Sequence, residues 1–333
     1  MDLSIIIVNW NSAAFLRCCL ETIYQKPRPF QFEVIVIDNG SFDGARDLVE
    51  NEFRDVKFVE SAANVGFGSA NNAAFEYSSG RNILFLNPDT EILGTALEAM
   101  VSALDSTPAC GVVGCKLLNS DGSIQTSCVQ SLPTVWNQLL DAEFLRSLFP
   151  HARMWGTAPL WRDGTTPVDV DVISGACLMI RRTVFEQVGR YSTRYFMYAE
   201  DADLCYKVKQ ADWTVKYIGA VQVVHHGGRS SGVAETRFSA VMMKQSLYEF
   251  IRSTQGRYQG ALYRVSMAVA ASIRLFLLGA AFVLTVGLLQ SQAIYNAARK
   301  WFDVLRWALG LEGWAKQPVQ RDTRSISCDR AAL

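Results

Sequence analysis

The sequence predicts an α/β fold built on a mainly parallel central sheet, followed by a helical C-terminal extension. Three observations predict it. Dense apolar runs alternate with helix-length segments through the first 110 residues. Four of those runs end in polar side chains, at Asn9, at Asp38 with Asn39, at Glu60, and at Asn87 to Asp89. Ligands of parallel sheets bind beyond the carboxyl ends of the strands, so these ends point to a site. Late in the chain, residues 268–289 read AVAASIRLFLLGAAFVLTVGLL, with Arg274 the only charge.

The elements follow in order. LSIIIVNW is a β-branched run and reads as a first strand; it lacks the basic flank of a signal peptide. NSAAFLRCCLETIYQ reads as a helix entered near Asn11 or Ser12. FEVIVIDNGS is a second strand ending at Asp38, Asp43 to Phe53 a helix, and VKFVES a third strand. The glycine-containing turn NVGFG leads a helix from Gly68 to Tyr77. NILFLNPDT is a fourth strand, and Glu91 to Leu104 a fourth helix. Lys116 to about Asp169 has no clear period and reads as a long excursion. VDVISGACLMIRRTVFEQVG reads as a strand followed by a helix. No repeat or low-complexity tract occurs.

Composition bounds the function. The chain has 333 residues, half of them apolar and 19% charged, enough for a core and too little charge for disorder. Lys plus Arg and Asp plus Glu are 32 each. A duplex-binding protein carries a cationic surplus, so nucleic acid is disfavoured as a partner. Eight cysteines at irregular spacing, with no CxxC, argue for free thiols in a reducing, cytoplasmic setting.

GxGxxG is absent after the first strand, where Asn9-Trp10-Asn11 stands, and no P-loop, GxSxG or HExxH occurs. Asp38 could accept bonds from a ribose or base, or could merely cap the turn before Gly40 with Asn39. Asp89 could bind Mg²⁺ or Mn²⁺ bridging a diphosphate, or could cap a following helix. His225 and His226 precede Gly227-Gly228, and adjacent residues of a strand face opposite ways, so only one should reach a shared site. Glu200-Asp201-Ala202-Asp203 is the densest acidic cluster. A carboxylate there suits general-base work on a hydroxyl, although Asp201 or Asp203 could be a simple cap.

Taken in order, SIIIVNWNS, VIDNGSFDG, NVGFGSANN, FLNPD, SGACLMIRR, YFMYAEDADLC and HHGGRSS resemble the inverting glycosyltransferases of GT-A fold, family GT2. They are similar in particular to rhamnosyltransferase-like enzymes of O-antigen and cell-wall polysaccharide assembly. The resemblance covers residues 3 to about 230. It implies a nucleoside diphosphate sugar as donor, with Mg²⁺ or Mn²⁺, and a lipid-linked or oligosaccharide acceptor. Val8, Asn9 and Asp38 would line the nucleotide pocket, with Asn64, Gly66, Phe67, Asn72 and Asn87 facing the donor. Asp89, in an NPD form replacing DxD, and His225 would hold the metal; His226 is the weaker choice. Ser174, Gly175 and Ala176 would form the acceptor-side strand edge. Asp201 would be the general base, with Glu200 orienting the site or binding acceptor. A dTDP-deoxysugar such as dTDP-rhamnose is the default donor of the subfamily.

Two departures stand out. Ala74 sits where the family usually has glycine, and the QxxRW motif of processive synthases is missing, since Trp213 lies in KQADW. The latter argues for single sugar addition. The alternatives are a nucleotidyltransferase, which normally has a glycine-rich basic loop where residues 9–20 hold only Arg17, and a catalytically silent assembly subunit.

The expected organisation is a catalytic unit over 1–235, with a donor half (1–110) and an acceptor half (111–235), and a helical extension over 236–333. Leu275 to Leu289 is 15 residues, short of the roughly 20 that span a bilayer. The stretch ARKWFDVLRWALG is amphipathic, with Trp301, Leu305, Ala308 and Leu309 near one face. The extension therefore fits peripheral contact with the cytoplasmic face of the inner membrane, or packing on the main unit or a second subunit as a homo-oligomer.

Overall fold

Leu3–Asn9 forms β1, and all seven of its residues are buried. Neighbouring strand residues face opposite ways, so continuous burial requires cover on both faces of the sheet. A computed structural model of the chain describes residues 1–140, 145, 148–149, 151–227, 237–284 and 292–316. After β1 come α1 (Ala13–Tyr24), β2 (Phe32–Asp38), α2 (Ala45–Glu52), β3 (Lys57–Glu60), α3 (Phe67–Phe75) and β4 (Asn82–Leu86). α1 starts at Ala13 because the Asp43 carboxylate accepts its free backbone N–H at 2.7 Å.

The predicted fourth helix starts later than Glu91. Thr90–Ile92 is a short strand, β5, and α4 covers Ala96–Ser106. β5 is held by antiparallel pairing with a strand more than 130 residues away, which local periodicity cannot register. The chain continues through β6 (Cys110–Leu118), β7 (Val129–Gln130), α5 (Val135–Leu139), β8 (Val168–Asp169), β9 (Val172–Ile173), β10 (Cys177–Arg181), α6 (Arg182–Gln187), α7 (Glu200–Gln210) and β11 (Thr214–His225). The excursion between β6 and β8 is partly ordered, and a Thr134–Asn137 capping box starts α5.

The main sheet runs β3-β2-β1-β4-β10-β6-β11-β5, with β8 also paired to β11. Strands β1 to β4 are parallel, and so are β6 and β11. β10 lies antiparallel between β4 and β6. The expected α/β sheet is therefore present in mixed form, mostly parallel. Asn9 stands beside Asp38, and Asp38 beside Glu60, so the polar ends of β1, β2 and β3 share one edge.

The C-terminal part is helical: α8 (Arg237–Gln255), α9 (Arg257–Leu284) and α10 (Gln292–Ala308). The boundary expected at 235/236 lies outside the described residues, as do residues 285–289 of the late apolar run and Gly228 to Ser231. Three residues of the predicted face of α10, Trp301, Leu305 and Ala308, pack against the core, and the buried face is rotated from it by a small step. Val304 and Trp307 are buried, whereas Leu309 is exposed. Trp307 sets that rotation, because its indole Nε1 donates to Gln245 Oε1 of α8 at 2.8 Å. α8 also grips the loop before α7: Ser246 Oγ donates to the Met197 carbonyl at 2.8 Å, and Phe238 meets Phe196 edge-on. The seven described cysteines are free thiols, as expected; Cys328 lies outside the described residues.

Candidate active site

At the end of β1, Asn9 Nδ2 donates to Asp38 Oδ1 at 2.9 Å and to Ser41 Oγ at 3.2 Å. Asp38 Oδ2 accepts the Ser41 backbone N–H at 2.9 Å, so Asp38 shapes the turn through Gly40 as the simpler of its two readings required. That turn also leaves unmet groups. Asn9 Oδ1 and Trp10 Nε1 are buried with no protein partner. Each such buried polar atom is costly unless a ligand completes it. Val8 packs in the core directly below.

The second wall is the NVGFG turn. Asn64 Oδ1 accepts from Asn39 Nδ2 at 2.9 Å and from the Gly66 N–H at 3.0 Å. Phe67 N–H donates to the Phe196 carbonyl at 2.9 Å. Gly66 has φ +85°, and a Cβ there would lie 2.3 Å from the Phe196 oxygen. Gly66→Ala is therefore expected to cost more than about 2 kcal/mol and to displace the turn, read as a lowered melting temperature together with weakened donor binding. Asn72 is placed elsewhere. Its amide donates to the Tyr191 carbonyl at 2.8 Å and accepts the Tyr191 N–H at 3.1 Å, so it fixes that loop.

Asp89 lies between β4 and β5 and is 3% exposed. It does not cap a helix, since β5 intervenes. His225, at the end of β11, brings Nε2 to 3.3 Å from Asp89 Oδ1 and 3.2 Å from Asn87 Nδ2. Its Nδ1 lies 2.7 Å from Gln125 Oε1, which turns Nε2 toward Asp89. His226 takes another course, to Glu91 and Ser120 at 2.7 and 2.8 Å. The adjacent histidines therefore divide as strand geometry demands. Cis ligands of an octahedral Mg²⁺ at about 2.1 Å are about 3 Å apart, so the Asp89–His225 pair fits such an ion. Among the described residues no third His, Cys, Asp or Glu joins them, which leaves further positions to water and phosphate oxygens.

The acidic cluster opens α7. Tyr198 and Ala199 precede it with φ of 70° and 61°, left-handed values that cost non-glycine residues about 1 kcal/mol or more each. This bend aims Glu200 and Asp201 inward. Asp201 Oδ2 accepts the Gly175 N–H at 3.1 Å, and Oδ1 the Ala202 N–H at 2.7 Å. Burial pushes the Asp201 carboxyl up against the opposing pull of these two N–H groups. Glu200 has less support, its own backbone N–H being the one group that pulls it down. Its Oε2 is buried without a partner, and burial, then the neighbouring Asp201 charge, push it up to about 8. Asp203 instead anchors the loop, accepting from Ser192 at 2.5 Å and Tyr195 at 3.1 Å.

A pH test follows from Glu200. Folded, it keeps its proton where the unfolded chain, at about 4.5, would release it. Its stabilisation is complete below that value and is lost as pH rises through about 8. Glu200→Gln should flatten the decline across this interval, which can reach about 1.4 kcal/mol per pH unit, as read by urea unfolding.

One path joins the parts. Gly175 lies against both Asp201 and the Phe67 ring, and the Ala176 carbonyl accepts the Asn87 N–H at 3.0 Å. Asn87 in turn meets His225. Ser174–Ala176 thus lies between the base candidate, the NVGFG wall and the metal pair. Sequence reasoning missed Ser41, Gln125 and the Tyr198–Ala199 bend. Ser41 could have been found in the polar SFDG turn, whereas nothing in the irregular stretch marks Gln125.

The chain is 28% identical over 254 residues to the N-acetylglucosaminyl-diphospho-decaprenol L-rhamnosyltransferase of Mycobacterium tuberculosis, covering 72% of this chain and 81% of that one. It is 22% identical to rhamnosyltransferase WbbL of Escherichia coli, covering 67% and 82%. The fold matches the mannosyltransferase PcManGT of Pyrobaculum calidifontis, solved with GDP-Man and Mn²⁺, at a TM-score of 0.57, 17% identity, and coverage of 95% and 88%. The sequence model of glycosyl transferase family 2 matches residues 4–189. The segments that supply Asn9, Asp38, Asn64, Asp89 and Gly175 all fall inside that match, and the chain belongs to glycosyl transferase family 2.

Proposed function

We propose that the chain is an inverting, metal-dependent transferase that moves one sugar from a nucleoside diphosphate donor to a hydroxyl of a lipid-linked glycan. The observation that carries this reading is the Ser174–Ala176 bridge, with a buried carboxylate at one end and the Asp89–His225 pair at the other. A bound Mg²⁺ or Mn²⁺ would neutralise charge on the departing diphosphate. Asp201 accepts the proton of the acceptor hydroxyl. The acceptor oxygen then bonds to the anomeric carbon as the bond to diphosphate breaks, and its electron pair leaves with the diphosphate. Attack opposite the leaving group inverts the centre. Glu200, protonated near neutrality, keeps the pair at one charge and can donate to the acceptor. Asn9 Oδ1 and Trp10 Nε1 would bind the nucleotide.

The relatives named for rhamnose transfer, one to N-acetylglucosaminyl-diphospho-decaprenol, support rhamnose as the sugar and a polyprenyl diphosphate glycan as acceptor, and the family resemblance supplies dTDP as its carrier. A screen of dTDP-, UDP- and GDP-sugars with Mn²⁺ or Mg²⁺, reading nucleoside diphosphate release, tests the proposal. The expected result is metal-dependent release from dTDP-rhamnose that requires the acceptor. Release from another donor alone would overturn the assignment of the sugar, and release of pyrophosphate would instead point to nucleotidyl transfer.

A further inference from the structure

We infer that the helix pair α9 and α10 is a docking surface for an anionic lipid bilayer, along which it lies. In α9, Leu262, Val265, Val269, Ile273 and Phe276 are all exposed, Phe276 by 75%. At 100° per residue they fall on one narrow stripe, which Tyr258 begins. From Tyr258 to Phe276 that stripe holds no charge and is about 27 Å long. The opposite face of α9, at Tyr263, Met267 and Ala271, is buried. Arg264 turns to that side, bonding the Ala308 and Trp307 carbonyls, and Arg274 lies over Trp301. A helix packed along one side and apolar along the other suits lying on a bilayer better than crossing it, although its length and composition would allow a span.

α10 repeats the pattern with cations added. Tyr295, Phe302 and Leu309 are exposed seven residues apart, and exposed Arg299 falls on the same face, as does Arg306, whose Nε is bonded to Glu312 at 2.7 Å. Aromatic and apolar side chains interleaved with arginine match the boundary between acyl chains and phosphates.

Charge selects the occupant. Residues 257–316 hold seven Lys and Arg against two Asp and Glu, while residues 1–256 hold 22 against 28. The chain's neutrality hides a cationic helix pair joined to an anionic body. An anionic surface would attract the first and repel the second, and so orient the molecule. A second copy seated on the stripe would bring two cationic helix pairs together, at a cost.

The test uses the full chain with sucrose-loaded vesicles of phosphatidylcholine, with or without phosphatidylglycerol. Wild type is expected to sediment with the anionic vesicles. The double variant V269E/I273E, at two exposed positions, should lose about a hundredfold in partition while its thermal melting matches wild type. Arg299→Gln should lose about fivefold on anionic vesicles alone, and added salt should act similarly. Three results would overturn the inference: wild type left in the supernatant with both vesicles, V269E/I273E binding as wild type does, or a dimer at sedimentation equilibrium that V269E/I273E dissociates.

Discussion

Asp201→Asn is expected to lower the transfer rate by about 10²- to 10⁴-fold and to leave donor binding unchanged. The asparagine oxygen can still accept the Gly175 N–H at 3.1 Å, which holds the side chain across the site, while the second bond, from the Ala202 N–H, is given up. What disappears is the ability to take a proton from the acceptor hydroxyl. That loss corresponds to about 3–5 kcal/mol of activation free energy. The measurement is steady-state transfer beside calorimetric titration of the nucleotide sugar. Near-normal turnover with intact donor binding would move the base elsewhere, Glu200 being the adjacent carboxyl. In wild type the upward push on Asp201 also makes transfer fall earlier on acidification than for an ordinary aspartate.

Asp89→Asn is expected to cut transfer by about 10²- to 10³-fold by a separate route. The substitution keeps the shape and removes the carboxylate that faces His225 Nε2. Mn²⁺ should then be needed at much higher concentration, and His225→Ala should shift the same titration. In the wild type, chelation should stop transfer and added Mn²⁺ restore it. If transfer by the Asp89→Asn variant kept the wild-type metal dependence, Asp89 would not be a ligand.

The two carboxylates differ in how readily the chain announces them. Asp89 was legible because an apolar run ends abruptly in Asn-Pro-Asp, and β4 indeed ends there. Strand alternation made it legible that His225 and His226 face different partners, whereas the choice of His225 came from the family resemblance. The β1 run was legible as a strand because no polar residue other than Ser4 breaks it before Asn9. Other features depend on distant partners. β5 exists through β11, the inverted β10 through β4 and β6, and the orientation of His225 through Gln125, which lies 100 residues earlier. No local pattern encodes such meetings. The face of α10 was misjudged by a small rotation for a related reason, since the Gln245 contact sets where Trp307 points.

The bond from Ser246 to the Met197 carbonyl changes what the C-terminal helices mean for this molecule. Met197 immediately precedes the two left-handed residues that present Glu200 and Asp201. A bend of that kind relaxes when its support goes. Trimming the chain after β11 would therefore yield a protein that captures its nucleotide yet rarely turns over, and a tail exchanged with a relative would need to bring its own hydroxyl to that carbonyl. Modularity in this chain stops at α8: the portion that looks like an appendage holds the bend from which Glu200 and Asp201 project.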